Sequence, residues 1–218
     1  MIKLKNPIDV VDKYFSKFKN TEDLILFKWK PHEYFVPEDE RLQYNDLWEF
    51  VAINCIAVVY SYRNPLDMII SKTKHEQTNV RAHCRVTDLK CIEKHHGVSL
   101  QLKTDLLVAK IARHERIHKE ILEDLKLHKV YYFQTIYEEL FFEADRTKNW
   151  EHLMSFIDKQ FPPKRVLTVS DLQSSDAMTF SNRSVTVTNY DEVVNDLTSK
   201  YPDYVKYLKE AAAVRYDD

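Results

Sequence analysis

Glycine is almost missing from this sequence. One residue in 218, Gly97, is a glycine, and because glycine is what lets backbone amides close around a phosphate, a glycine-rich phosphate loop is excluded. Cysteine is scarce as well. Cys55, Cys84 and Cys91 are an odd number without CxxC spacing, which speaks for reduced thiols, with Cys55 packing as a small hydrophobe inside its apolar run. No run of about 18 apolar residues is present, the length a membrane-spanning helix needs. The stretch MIKLKNPIDVVDKYFSKFK is too charged for the apolar core of a signal peptide, so the expected location is the cytoplasm. Neither sign of charge dominates: the 32 lysines and arginines stand against 34 aspartates and glutamates, a net of −2. There is no overall basic field, and nucleic acid is not the expected partner.

What the sequence does have is apolar material for one packed domain, with 44% of residues apolar and 12% aromatic. Short apolar runs alternate with longer segments of 3.6-residue period, the pattern of an α/β domain spanning 1–218. After Asn6-Pro7 a helix carries Val10, Val11, Tyr14, Phe15 and Phe18 on one stripe. Leu24–Trp29, LILFKW, reads as a buried strand closed by Pro31, and a helix over 45–52 follows. Cys55–Tyr62, CIAVVYSY, is the strongest strand and reads as buried; it leads through Asn64-Pro65 into a helix toward Asn79. A long helix over 102–125 places Leu102, Leu106, Ala109, Ile117, Ile121 and Leu125 on one face. Val130–Thr135 is a third strand, Trp150–Phe161 a helix stopped by Pro162-Pro163, and Leu167–Thr188 a polar stretch. A C-terminal helical segment over about 189–213 is broken by Pro202.

Parallel strands joined by helices place their chemistry at the strands' carboxyl ends. There the sequence puts RNPLDMIIS, Arg63–Ser71. Pro65 suits a first helical turn, Asp67 suits its positive end, and Ser71 lies two turns beyond Arg63. A guanidinium, helix-start amides and a hydroxyl together can hold a phosphate. The competing reading is an ordinary ion pair of Arg63 with Asp67 or another surface acid.

RNPLDMIIS resembles the 3′-phosphate-binding motif of sulfotransferases that use 3′-phosphoadenosine 5′-phosphosulfate. YEEL, Tyr137–Leu140, after the strand VYYFQTI, is similar to the YEDL of the bacterial and carbohydrate types, and NWEHLMSFI follows it as their next helix does. LILFKWKPHE is similar to the family strand carrying FK, and SNRSVTVTNYDEVVNDL, Ser181–Leu197, to the C-terminal piece with a basic nucleotide-contacting loop. The resemblance implies a P-loop-type parallel sheet flanked by helices, N-terminally reduced. It implies 3′-phosphoadenosine 5′-phosphosulfate as co-substrate, with Arg63, Ser71 and Arg183 binding the nucleotide. The activity implied is sulfuryl transfer to a hydroxyl acceptor, a small molecule or a carbohydrate. Such transfer needs a cation and a base: Lys28 and Lys30 are the candidate cations, His32 or Glu33 the candidate base. The family's PKSGTT-like loop has no counterpart upstream of Leu24. A non-catalytic descendant that binds a protein partner or a second copy of itself is therefore the alternative.

A third reading comes from HERIH, His114–His118, which matches H-E-x-x-H and puts two imidazoles on one helix face, as a zinc peptidase requires. Arg113, Arg116 and Lys119 crowd it with positive charge, which opposes a divalent cation and favours the polar face of a long helix.

Overall fold

Two helices end in the same way, and each delivers the chain into a strand. In the computed structural model, which describes residues 42–78, 90, 93, 97–141, 145–160 and 183–209, helix α1 spans Leu42–Ile53 and strand β1 Val58–Tyr62. Between them Cys55 adopts φ 52°. Its N–H bonds the Ala52 carbonyl at 3.1 Å, and the Ile56 N–H bonds the Val51 carbonyl at 3.0 Å. That pair of bonds is the Schellman cap, whose left-handed position usually goes to glycine. Past β1, helix α2 runs over Pro65–Thr78 and helix α3 over Thr104–Leu127. The end of α3 repeats the device: Lys129 has φ 53°, its N–H bonds the Lys126 carbonyl, and Val130 N–H bonds the Leu125 carbonyl. Strand β2 follows as Tyr132–Ile136. With one glycine in the chain, a cysteine and a lysine take the left-handed sites at a strain of roughly 1–2 kcal/mol each. Gly97 itself does not have positive φ.

The expectation for Cys55 is thereby corrected: it is an exposed cap residue, not a buried strand residue, and β1 begins at Val58. Strand β1 also alternates half-buried and exposed positions, with Val59 and Ser61 exposed, where a fully buried run was expected. The two strands pair in parallel in a two-stranded sheet, with the Val58 N–H on the Tyr131 carbonyl at 2.9 Å. Helix α4, Tyr137–Phe141, starts directly after β2, and α5 covers Arg146–Gln160. Within the polar stretch, Arg183–Thr186 forms one short helical turn, α6. Helix α7 is Tyr190–Lys200, and a 3-10 helix, Pro202–Leu208, follows the break at Pro202. The described residues are thus mostly helical around a small parallel sheet. The expected helix near Val10–Phe18 and the strand Leu24–Trp29 lie outside them.

The chain divides into two compact units. Among the described residues, the first takes in 42–60, 117–134 and 155–160. Its core is Leu47, Trp48 and Val51 of α1 against Ile117, Ile121 and Leu125 of α3, with Val130. Tyr131 stacks on Phe156 with ring centroids 4.8 Å apart. The second unit takes in the remaining described residues, and its core joins Leu66, Ile69 and Ile70 of α2 to Leu107 and Ile111 of α3 and Val193 and Leu197 of α7. The expected face of α3 needs correction here. Leu106 is 58% exposed and Ala109 is exposed, while Leu107 is buried, so the apolar stripe of this part of the helix runs through 107 and 111.

A bridge fixes the C-terminal part of this second core. Leu100 N–H bonds the Thr186 carbonyl and Thr188 N–H bonds the Leu100 carbonyl, at 2.7 and 2.8 Å. The Asn189 side chain continues the pairing by accepting the Leu102 N–H and donating to the Leu102 carbonyl. A side-chain amide thereby satisfies both the N–H and the carbonyl of Leu102, a partly buried backbone pair.

Candidate anion site at the carboxyl end of the sheet

Arg63 leaves the carboxyl end of β1, and Tyr137 and Glu138 leave that of β2. In the second unit these residues meet. The Arg63 guanidinium carbon stands 4.8 Å from the Tyr137 ring centroid, an arrangement that attracts a cation to the ring face. Its Nε is 3.8 Å from Glu138 Oε1, an ion-pair distance too long for a hydrogen bond. That Nε is buried and has no hydrogen-bond partner among the described residues, although the side chain as a whole is 25% exposed. Burial pushes the Glu138 carboxyl above its ordinary value; the Asn64 amide and the Arg63 cation oppose this only in part.

Asn64 organises the corner. Its Oδ1 accepts the Leu66 N–H at 2.9 Å, which is the N-cap of α2. Its own N–H donates to Glu138 Oε1 at 3.0 Å, and its Nδ2 donates to the Tyr207 carbonyl at 3.1 Å. The helix start therefore offers fewer open amides to a phosphate than the sequence reading expects. Pro65 has no N–H, Leu66 is capped, and the Met68 N–H bonds the Asn64 carbonyl.

The second arginine of the predicted site behaves differently. Arg183 is 1% exposed, and it grips Asp67 through Nε–Oδ1 at 2.8 Å and Nη2–Oδ2 at 2.9 Å. Its Nη1 donates to the carbonyls of Tyr207 and Leu208 at 2.9 and 3.0 Å, and the Tyr190 side chain is a further hydrogen-bond partner. Burial opposes the charge, but the Asp67 carboxylate more than offsets it and the guanidinium titrates above its ordinary value. The expectation of Arg183 as a basic loop residue on a nucleotide is corrected: its donors are engaged within the chain, and it clamps α2 to the C-terminal 3-10 helix. Asp67, in turn, pairs with Arg183 and not with Arg63. Ser71 lies one turn past Asp67 on α2 and is half-buried; Lys74 follows on the same side, 3% exposed, with burial lowering its ammonium's pKa.

Around Tyr62, the last residue of β1, a chain of polar groups continues. The Tyr207 hydroxyl donates to Glu115 Oε1, Lys206 Nζ lies 2.7 Å from the same oxygen, and Tyr62 hydrogen-bonds Tyr207. Burial alone would raise the Glu115 carboxyl, but the bonds from Lys206 and Tyr207 outweigh it and hold it lowered. The Tyr62 and Tyr207 phenols are raised, burial being the first cause in each.

The sequence marks Arg63 and the YEEL segment, but gives Glu138 no role apart from that motif. An acid two residues past one strand end, beside an arginine directly after the neighbouring strand end, is the signal that would have joined them. Lys28, Lys30, His32 and Glu33 lie outside the described residues. In HERIH, the His118 ring stacks on Tyr60 and its Nδ1 shares a hydrogen bond with the Tyr60 hydroxyl at 2.8 Å. Among the described residues no group of three His, Cys, Asp or Glu side chains could hold a metal ion, and no helix is long and apolar enough to cross a membrane. Comparison with family models, with curated proteins and with solved structures finds no match.

Proposed function

We propose that the chain is a sulfotransferase-family protein that binds an adenosine 3′,5′-bisphosphate-type nucleotide at the β1–α2 corner, with Arg63 and Ser71 holding the 3′-phosphate. The observation that carries this reading is the state of Arg63: a guanidinium fixed by Tyr137 at the carboxyl ends of two parallel strands, with a buried Nε lacking a hydrogen-bond partner among the described residues. A phosphate oxygen supplies that partner and the charge together. Arg183, whose donors are engaged, has no part in the nucleotide contact in this reading.

The co-substrate is 3′-phosphoadenosine 5′-phosphosulfate and the acceptor a small-molecule or carbohydrate alcohol. In-line transfer needs positive charge at the departing phosphate oxygens and a base on the acceptor hydroxyl. Lys28 is assigned the first role and His32 the second, within a P-loop-type sulfotransferase fold. Binding and turnover are separable here, because residues 1–218 hold a single glycine and no glycine-rich loop for the phosphosulfate.

The test is thermal denaturation with adenosine 3′,5′-bisphosphate. A ligand that binds only the native state adds about 2.7 kcal/mol at one hundred times its dissociation constant. The wild type is expected to melt higher with the nucleotide, Arg63→Ala to show no shift and Ser71→Ala a reduced one. An equal shift in Arg63→Ala, or none in the wild type, refutes the assignment. Binding without sulfuryl transfer places the chain with the non-catalytic descendants.

A further inference from the structure

On the reading just given the β1–α2 corner receives a phosphate, yet in the free chain a carboxylate already sits there. Glu138 accepts the Asn64 N–H, lies beside Arg63 Nε, and has a side chain only 10% exposed. Asn64 carries the last backbone donor before the helix, since Pro65 has none and Leu66 is capped. Glu138 thus holds the backbone seat and the counter-charge position that an incoming anion needs.

Among the described residues the charges that act on it are Arg63 and Asp67. Arg63 from the end of β1 faces it directly; Asp67 from α2 is near enough to repel it and is itself neutralised by Arg183. Lys74 lies two turns along α2 from Asp67, and Tyr62 and Tyr137 are neutral phenols held so by burial. Two cations, Arg63 and Arg183, balance two carboxylates, Asp67 and Glu138. A phosphate dianion adds two negative charges against a buried carboxylate, and like charge disfavours the ionised form.

We propose that Glu138 is a resident carboxylate that holds this corner in the free protein and yields it to phosphate by taking up a proton, so that anion binding at Arg63 is coupled to proton uptake. The step forms one O–H bond on the Glu138 carboxyl with a proton from solvent. The neutral acid then donates to a phosphate oxygen instead of repelling it, and the whole Arg63 charge faces the ligand. Burial already tilts Glu138 toward the protonated form.

The experiment is calorimetric titration of adenosine 3′,5′-bisphosphate into the full chain, as wild type, Glu138→Gln and Arg63→Ala, in buffers of different ionisation heat. Near pH 8 a phosphate monoester, whose second pKa is about 6, is already fully ionised, so proton uptake belongs to the protein. The wild type is expected to take up about one proton per nucleotide and Glu138→Gln none. Glu138→Gln is expected to bind about tenfold tighter or more at that pH, since each pH unit above the carboxyl's pKa weakens coupled binding by up to about tenfold. Comparing the two proteins at one pH cancels the nucleotide's own titration. Wild-type binding without proton uptake and with unchanged affinity in Glu138→Gln overturns the proposal and leaves Arg63 as the phosphate ligand. Absence of binding by the wild type and by Glu138→Gln removes the phosphate corner and this coupling together. If circular dichroism shows Glu138→Gln unfolded, the wild-type proton count decides.

Discussion

Arg183 and Asp67 face each other through two parallel hydrogen bonds of 2.8 and 2.9 Å, both side chains buried, across 116 residues of sequence. The pair ties the first turn of α2 to α6, and through the Tyr207 and Leu208 carbonyls to the last described turn of the chain. Removing one member leaves the other as an uncompensated buried charge, which costs about 3–5 kcal/mol. Arg183→Ala and Asp67→Ala are each expected to lower the unfolding free energy by that amount, read as a lower midpoint of urea denaturation. The double change Arg183→Met with Asp67→Leu is expected to lose less than either single one. If Arg183→Ala left the midpoint unchanged, the clamp would have no structural role.

Glu115 gives a prediction about acid. Its carboxyl is held lowered by Lys206 and Tyr207. A lowered carboxylate adds stability above its unfolded value, and that stability is lost as pH falls through the folded value. Acid below the ordinary carboxylate range should therefore loosen the 3-10 helix first. The site is partly exposed, so the pair is worth at most about 1 kcal/mol. Hydrogen exchange of amides at Tyr204–Leu208 checks this: protection should fall with pH in the wild type and be low at all pH values in Glu115→Gln.

How far the sequence reaches is clearest in the helices and least clear in the long-range pairs. Asn64-Pro65 marked the start of α2, and Pro202 the end of α7, because capping and the missing proline N–H act within a few residues. Arg63 was found at the sheet's end for the same local reason. The partner of Arg183 was not legible, since no spacing rule connects 67 to 183. The caps at Cys55 and Lys129 were hidden too: without glycine as the signal, an apolar run containing cysteine reads as strand. The register of α3 slipped from Leu107 to Leu106 because adjacent leucines fit the same period.

His118 supplies a second dependence on pH. Burial lowers its imidazole below the ordinary value, and the ring lies stacked on Tyr60. For a base with a lowered folded value, the unfolded chain binds more protons, so stability is full above the ordinary imidazole value and is lost as pH falls below it. Proton NMR of the ring is expected to show titration below about 6.5, the unperturbed value. In Tyr60→Phe the hydrogen bond is gone while the ring stack remains, so the shift should persist, burial being its cause. A ring that titrates at the ordinary value in the wild type contradicts the packing described for α3.

The left-handed caps allow a test of how the near absence of glycine bears on stability. Lys129 is exposed, with φ 53°, between α3 and β2. Glycine there removes the steric strain of a side chain in this conformation, roughly 1–2 kcal/mol, but makes the unfolded chain more flexible, which takes back about 0.5–1 kcal/mol. The first effect is the larger. Lys129→Gly is expected to raise stability by about 0.5–1 kcal/mol, read as a higher urea midpoint with an unchanged slope. Lys129→Ala keeps a β-carbon in the same place and is expected to leave the midpoint unmoved. Because the cap's bonds run from Lys129 and Val130 to Lys126 and Leu125 through backbone atoms alone, neither change removes one of these bonds. A fall in stability for Lys129→Gly would mean that the lysine side chain, and not its backbone conformation, is what this position requires.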